Sequence, residues 1–136
     1  PKKAAISDQW MTWSTDGLMG TFFPVFWQLV RTEESERDYE QISEMAKKSA
    51  TILSVLEDHL LNNHFVAGSE LTFGDIPLGV LLHKYFVLDI ERPPFPGIEA
   101  WYQRLCNRAA FQKNAMAPFG NSPSEWLAFE KSGEYD

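Results

Sequence analysis

The chain has 136 residues, 44% of them apolar, enough for one packed domain and unlike a disordered tail. Its 12 basic against 19 acidic side chains leave a formal charge of −7, a surface that repels phosphate backbones, so no nucleic-acid partner is expected. One cysteine, Cys106, excludes an internal disulfide and fits a reducing, cytoplasmic setting, and the longest apolar run, Phe22 to Trp27, is too short to cross a bilayer.

The opening Pro1-Lys2-Lys3-Ala4-Ala5 has neither an initiating methionine nor the apolar core of a signal peptide, as expected of a fragment or processed product. Ser7 or Asp8 is placed to cap a first helix from about Trp10 toward Leu29, in which Leu18, Phe22, Val25, Phe26 and Leu29 recur at helical spacing. Pro24 inside it predicts a bend or a break into two shorter helices. Ser35 with Asp38 reads as a capping pair for a second helix reaching about Asn62, whose buried face runs Ile42, Met45, Ala46, Ser49, Leu53, Leu56, Leu60. Gly68-Ser69 marks a turn. Thr72 with Asp75 forms a structural capping box, flanked by Leu71 and Ile76 as a hydrophobic staple, for a helix that is apolar nearly all round and so belongs at the centre of a bundle. Pro77 sits awkwardly soon after that cap. Arg92 to Gly97 reads as a loop, Ile98 to Leu105 as a short amphipathic helix, and Ala109 to Met116 as another. These elements give an all-α bundle of five to six helices over 1–117. The stretch 118–136 is a tail of low expected order, with Trp126, Leu127 and Phe129 available to pack it.

The segment Val66-Ala67-Gly68-Ser69-Glu70-Leu71-Thr72-Phe73-Gly74-Asp75-Ile76 resembles the signature of the glutathione S-transferase C-terminal domain, in which a Thr/Ser-x-x-Asp box precedes a buried central helix. Trp10-Met11-Thr12-Trp13 resembles that family's opening helix. Ile98 to Leu105 with Arg108-Ala109-Ala110-Phe111-Gln112 resembles its penultimate helix and following turn, so the likeness covers roughly 5–116. Bacterial beta or theta-like members are the most similar. The resemblance implies a thioredoxin-like domain before residue 1 that holds glutathione and carries the Ser, Tyr or Cys facing its sulfur. It implies attack of the glutathione thiolate on a small hydrophobic electrophile, glutathione as co-substrate with no tightly bound cofactor, and a homodimer paired through the first two helices.

On this view the present chain holds no catalytic residue of its own and supplies the electrophile-side wall. Thr12, Thr15, Asp16 and Met19 fall at i, i+3, i+4 and i+7 and share one helix face. The resemblance places Thr12, Thr15 and Asp16 near glutathione and turns that face to the active cleft. Met19 stands where some beta-type members have a histidine and offers a soft apolar wall instead of a proton carrier. The same four residues equally suit packing against another domain. Trp10, Trp13, Met19 and Phe23 are the candidate electrophile pocket, with core or interface packing as the alternative for the tryptophans. His59, His64 and His83 have no metal-ligand spacing, and Cys106 reads as an inert thiol. A non-catalytic interaction or scaffold domain of the same fold is the alternative function.

Overall fold

The computed structural model describes residues 2–133, and among them every regular element is helical. The first rod begins earlier than the apolar stripe indicates. α1 (Lys2–Trp13) starts at Lys2, and Ser7 lies inside it rather than at its cap. Its side chain is buried and its hydroxyl donates to Thr72 Oγ1 at 2.6 Å, while Lys3 pairs with Glu70, so the opening turns are pinned by polar contacts that leave no hydrophobic periodicity. The backbone then stays helical through two wide π turns, Ser14–Leu18 and Trp27–Arg31, on either side of α2 (Met19–Phe26). Pro24 does not break the rod. It removes one ladder donor, and the helix resumes beyond it, where the Trp27 N–H reaches the carbonyls of both Phe23 and Pro24.

α3 (Tyr39–Leu60) is opened by Asp38, whose carboxylate accepts the Gln41 N–H at 2.9 Å. The capping pair is thus Asp38 with Gln41, not Ser35 with Asp38. Ser35 lies in a short 3₁₀ turn, Glu34–Glu36. The next residue, Arg37, is held extended while its guanidinium donates to the carbonyls of Leu29, Thr32 and Asn121. The buried face of α3 is the expected one, with Ile42, Ala46, Ser49, Leu53, Leu56 and Leu60, except that Met45 is only partly buried. Each fully buried leucine there contributes about 1.5–3 kcal/mol.

Phe65 and Gly68 exchange backbone hydrogen bonds across a tight turn that Gly68, at φ +123°, makes possible. α4 (Asp75–Val87) follows and buries Leu78, Gly79, Leu82, His83 and Tyr85. Pro77 falls in its first turn, where backbone N–H groups have no intrahelical partner, so the missing donor is harmless. α5 (Pro96–Cys106) takes Pro96 and Gly97 out of the expected loop. Proline is pre-shaped for the first helical position, and the buried Glu57 carboxylate of α3 accepts the N–H groups of Gly97 and Ile98 at 2.9 and 2.8 Å. α6 (Ala109–Ala115) is short.

The expected tail is ordered across its described part. α7 (Pro123–Ser132) is capped by Ser122, and Phe119 is buried against Phe26 with ring centroids 5.3 Å apart. The last three residues of that stretch lie outside the described ones. Counting α1 and α2 as one continuous rod gives six helical rods among the described residues, five of them within 1–117, the all-α bundle expected. The core gathers Phe22, Leu53, Leu56, Leu78, Leu82, Tyr85, Trp101 and Leu105 between α2, α3, α4 and α5.

Candidate functional site

The first rod packs Leu18, Phe22 and Val25 inward and leaves Thr12, Thr15, Asp16 and Met19 exposed, as their shared face requires. The π turn Ser14–Leu18 adds backbone width where Thr15 and Asp16 sit. The Thr15 hydroxyl donates to the Met11 carbonyl at 2.7 Å, so its proton is engaged within the rod. The side chains of Thr12 and Asp16 make no hydrogen bond to another described residue and are exposed.

Further along the same side, Met19 and Phe23 border a cavity of about 220 Å³. Phe22 and Phe26 complete its α2 wall, and Pro77, Val80, Leu81 and Lys84 form the opposite wall from α4. Seven of these eight residues are apolar, and Lys84 supplies the one charge. Phe23 is 44% exposed at the mouth and stacks near Phe26 and Trp27. The α4 residues carried no sequence signal of their own, because a helix apolar all round does not say which flank stays open. Lys84, the one cation in that helix, was the available clue.

Trp10 and Trp13 stand apart from this cavity. Their rings meet edge to face at 5.2 Å, and Trp10 leans on His59 of α3 at 4.7 Å, whose Nε2 is 2.9 Å from the Val66 carbonyl oxygen. Both tryptophans are half-buried against the main core. The four residues singled out as an electrophile pocket therefore separate into a pair on the cavity and a pair packed toward α3.

Burial lowers the pKa of the Lys84 ammonium. His83, the next residue, is buried on the other flank of α4 with Nδ1 2.8 Å from the Tyr102 hydroxyl; burial first, and the Lys84 charge second, lower its pKa. Burial also raises the Tyr102 phenol, with Cys106 adding to the effect. His83 and Tyr102 thus form a polar contact between α4 and α5, away from the cavity that Lys84 borders.

Asp75 is fully buried and structural. One oxygen accepts the Thr72 N–H at 2.8 Å and the Thr72 hydroxyl at 3.1 Å; the other accepts the Val66 N–H at 2.9 Å and the Trp101 Nε1–H at 2.8 Å. Among the described residues no group of His, Cys, Asp and Glu side chains is arranged to hold a metal ion, and no helix is long and apolar enough to cross a membrane.

The family model for the glutathione S-transferase C-terminal domain matches residues 18–109. The chain belongs to this family. Among curated relatives, glutathione S-transferase GstB of Escherichia coli K12 is 29% identical over 118 residues, covering 87% of this chain and 57% of the relative. Glutathione S-transferase 3 of Zea mays is 34% identical over 91 residues, covering 61% of this chain and 39% of the relative. The theta class glutathione S-transferase of the citrus canker pathogen Xanthomonas axonopodis pv. citri, solved with glutathione bound, matches at a TM-score of 0.84 and 37% identity, covering 88% of this chain and 63% of that one. The chain thus spans 57% or less of the length of these curated relatives, and what it matches is the helical part of a glutathione S-transferase.

Proposed function

We propose that this domain forms the second-substrate wall of a glutathione S-transferase that joins glutathione to a small hydrophobic electrophile. The observation that carries the reading is the apolar cavity between α2 and α4, bordered by Met19 and Phe23 on the same side of the first rod as Thr12, Thr15 and Asp16. In the reaction the glutathione thiolate forms a new S–C bond to the electrophile, and the displaced group leaves with the bonding electrons. The thiol-activating residue lies in a thioredoxin-like domain that would precede this one, and no residue here touches the sulfur as a proton carrier.

Within that scheme Thr12 and Asp16 offer hydrogen-bond acceptors beside glutathione, and Thr15 keeps a lone pair free while donating to Met11. Met19 and Phe23 hold the electrophile, with Trp10 and Trp13 supporting the rod from its other side. Residues 1–117 act as the helical domain and 118–136 as an appended segment, whose described part packs on the second π turn. The working protein is a cytoplasmic homodimer paired through the first rod and α3.

The test is Met19→Glu in the transferase that carries this domain. Met19 is 36% exposed, so a carboxylate there leaves the fold intact while charging the apolar wall. The expected result is a loss of about tenfold or more in kcat/KM for an uncharged apolar electrophile, with the KM for glutathione unchanged. Unchanged kinetics for both substrates would remove the cavity from the reaction.

A further inference from the structure

We infer that the second substrate taken by this cavity is an amphipathic monoanion, an apolar ring or short chain that fills the space and a carboxylate that pairs with Lys84. The inference rests on the functional reading above and deepens it by naming the class of electrophile.

Lysine normally lays its methylenes along apolar surface and keeps its ammonium in bulk water. Lys84 does so at the edge of the cavity, where its ammonium keeps contact with solvent. It projects from a helix that is otherwise apolar along this flank, it is half-buried, and its seven companions around the cavity are Met19, Phe22, Phe23, Phe26 and three apolar residues of α4. The chain has 19 acidic side chains to offer as partners, yet the ion pairs among the described residues are Lys3–Glu70 and Lys48–Glu44, and no carboxylate or hydrogen-bond acceptor meets Lys84. An unpaired cation at the rim of an otherwise apolar cavity is placed to meet the anionic end of a ligand whose apolar part fills the space. Burial of the side chain lowers the pKa of its ammonium, a cost that an anion bound beside it reduces.

Size and charge narrow the class. A cavity near 220 Å³ is only modestly larger than the ~150 Å³ engineered cavities that hold a benzene ring, so it suits a single ring or a short chain with a small polar end. Lysine acts as a point charge and asks for no bidentate geometry, which a lone carboxylate satisfies. The domain's net charge of −7 repels multiply charged ligands more than a monoanion.

The experiment is calorimetry on the transferase that carries this domain with 4-phenylbutyrate and its uncharged amide, comparing wild type, Lys84→Gln and Lys84→Arg, with helicity checked by circular dichroism. The wild-type protein should bind the acid on the order of tenfold more tightly than the amide, Lys84→Gln should level the two, and Lys84→Arg should keep the preference. Equal affinities for acid and amide in the wild type, an acid preference that survives Lys84→Gln, or no binding of either probe would overturn it. The conjugation assay separates the two claims. Loss of conjugation with the acid preference intact removes the reaction and leaves the anion site; conjugation intact with no acid preference removes this inference alone.

Discussion

At the scale of single residues, Asp75 is where local and distant constraints meet. A capping residue that satisfies one orphan amide is worth about 1 kcal/mol, but the Asp75 carboxylate takes four donors, two from Thr72, one from the Val66 backbone and one from the Trp101 indole, in a site with no solvent access. Asp75→Ala strands several of these donors at once. The expected loss is about 3 kcal/mol or more in a urea unfolding curve, and a loss near 1 kcal/mol would mean that the indole and the Val66 amide find other partners. The Thr72–Asp75 spacing was legible because both groups belong to one turn of chain. The Trp101 contact was not, because α5 comes back to Asp75 only after 26 residues whose path depends on the packed core. The candidate pocket divides the same way. Met19 and Phe23 follow from the helical period of one segment, whereas Lys84, Val80 and Leu81 join them only through the packing of α4 on α2.

At the scale of elements, the segment after Phe119 is held by a small number of strong contacts. The Arg31 guanidinium lies 3.9 Å from the centroid of the Trp126 ring, that ring meets Phe26 at 6.2 Å, and Arg37 donates to the Asn121 carbonyl at 2.7 Å. Phe26 also lines the cavity, so α7 braces one wall from behind. Trp126→Ala removes a cation–π contact and an aromatic pair, together about 1–2 kcal/mol. Amide exchange in α7 should accelerate while the core of α3 keeps its protection; an equal loss in α3 would show that α7 and the bundle unfold as one unit. Composition gave little reason to expect a helix here, since Trp126, Leu127 and Phe129 are the large apolar side chains in a mostly polar run. Order arises from the surface that the second π turn presents, which periodicity alone does not describe. The early start of α1 escaped for a related reason. Its residues up to Ser7 are pinned by polar contacts to the Glu70 and Thr72 segment, not by an apolar stripe.

At the scale of the whole molecule, the apolar periods of α3, α4 and α5 were enough to specify an all-α bundle, because their buried faces are continuous and their caps are local. The position of the site is a property of the assembled bundle. The first rod turns one side to the core and the other to solvent, and α4 leaves a single flank open beside it, so the cavity opens on the exposed side that carries Thr12, Asp16 and Met19. That arrangement suits a ligand with two parts, one polar and held along the first rod, the other apolar and buried beside α4. The most direct measurement is nuclear magnetic resonance on the transferase that carries this domain, comparing glutathione with S-benzylglutathione, the product of conjugation to a benzyl electrophile. Methyl signals of Met19, Val80 and Leu81 should move on addition of the S-benzyl conjugate and stay in place with glutathione alone. Movement confined to the Trp10, Trp13 and His59 cluster, or none anywhere in the domain, would contradict the account.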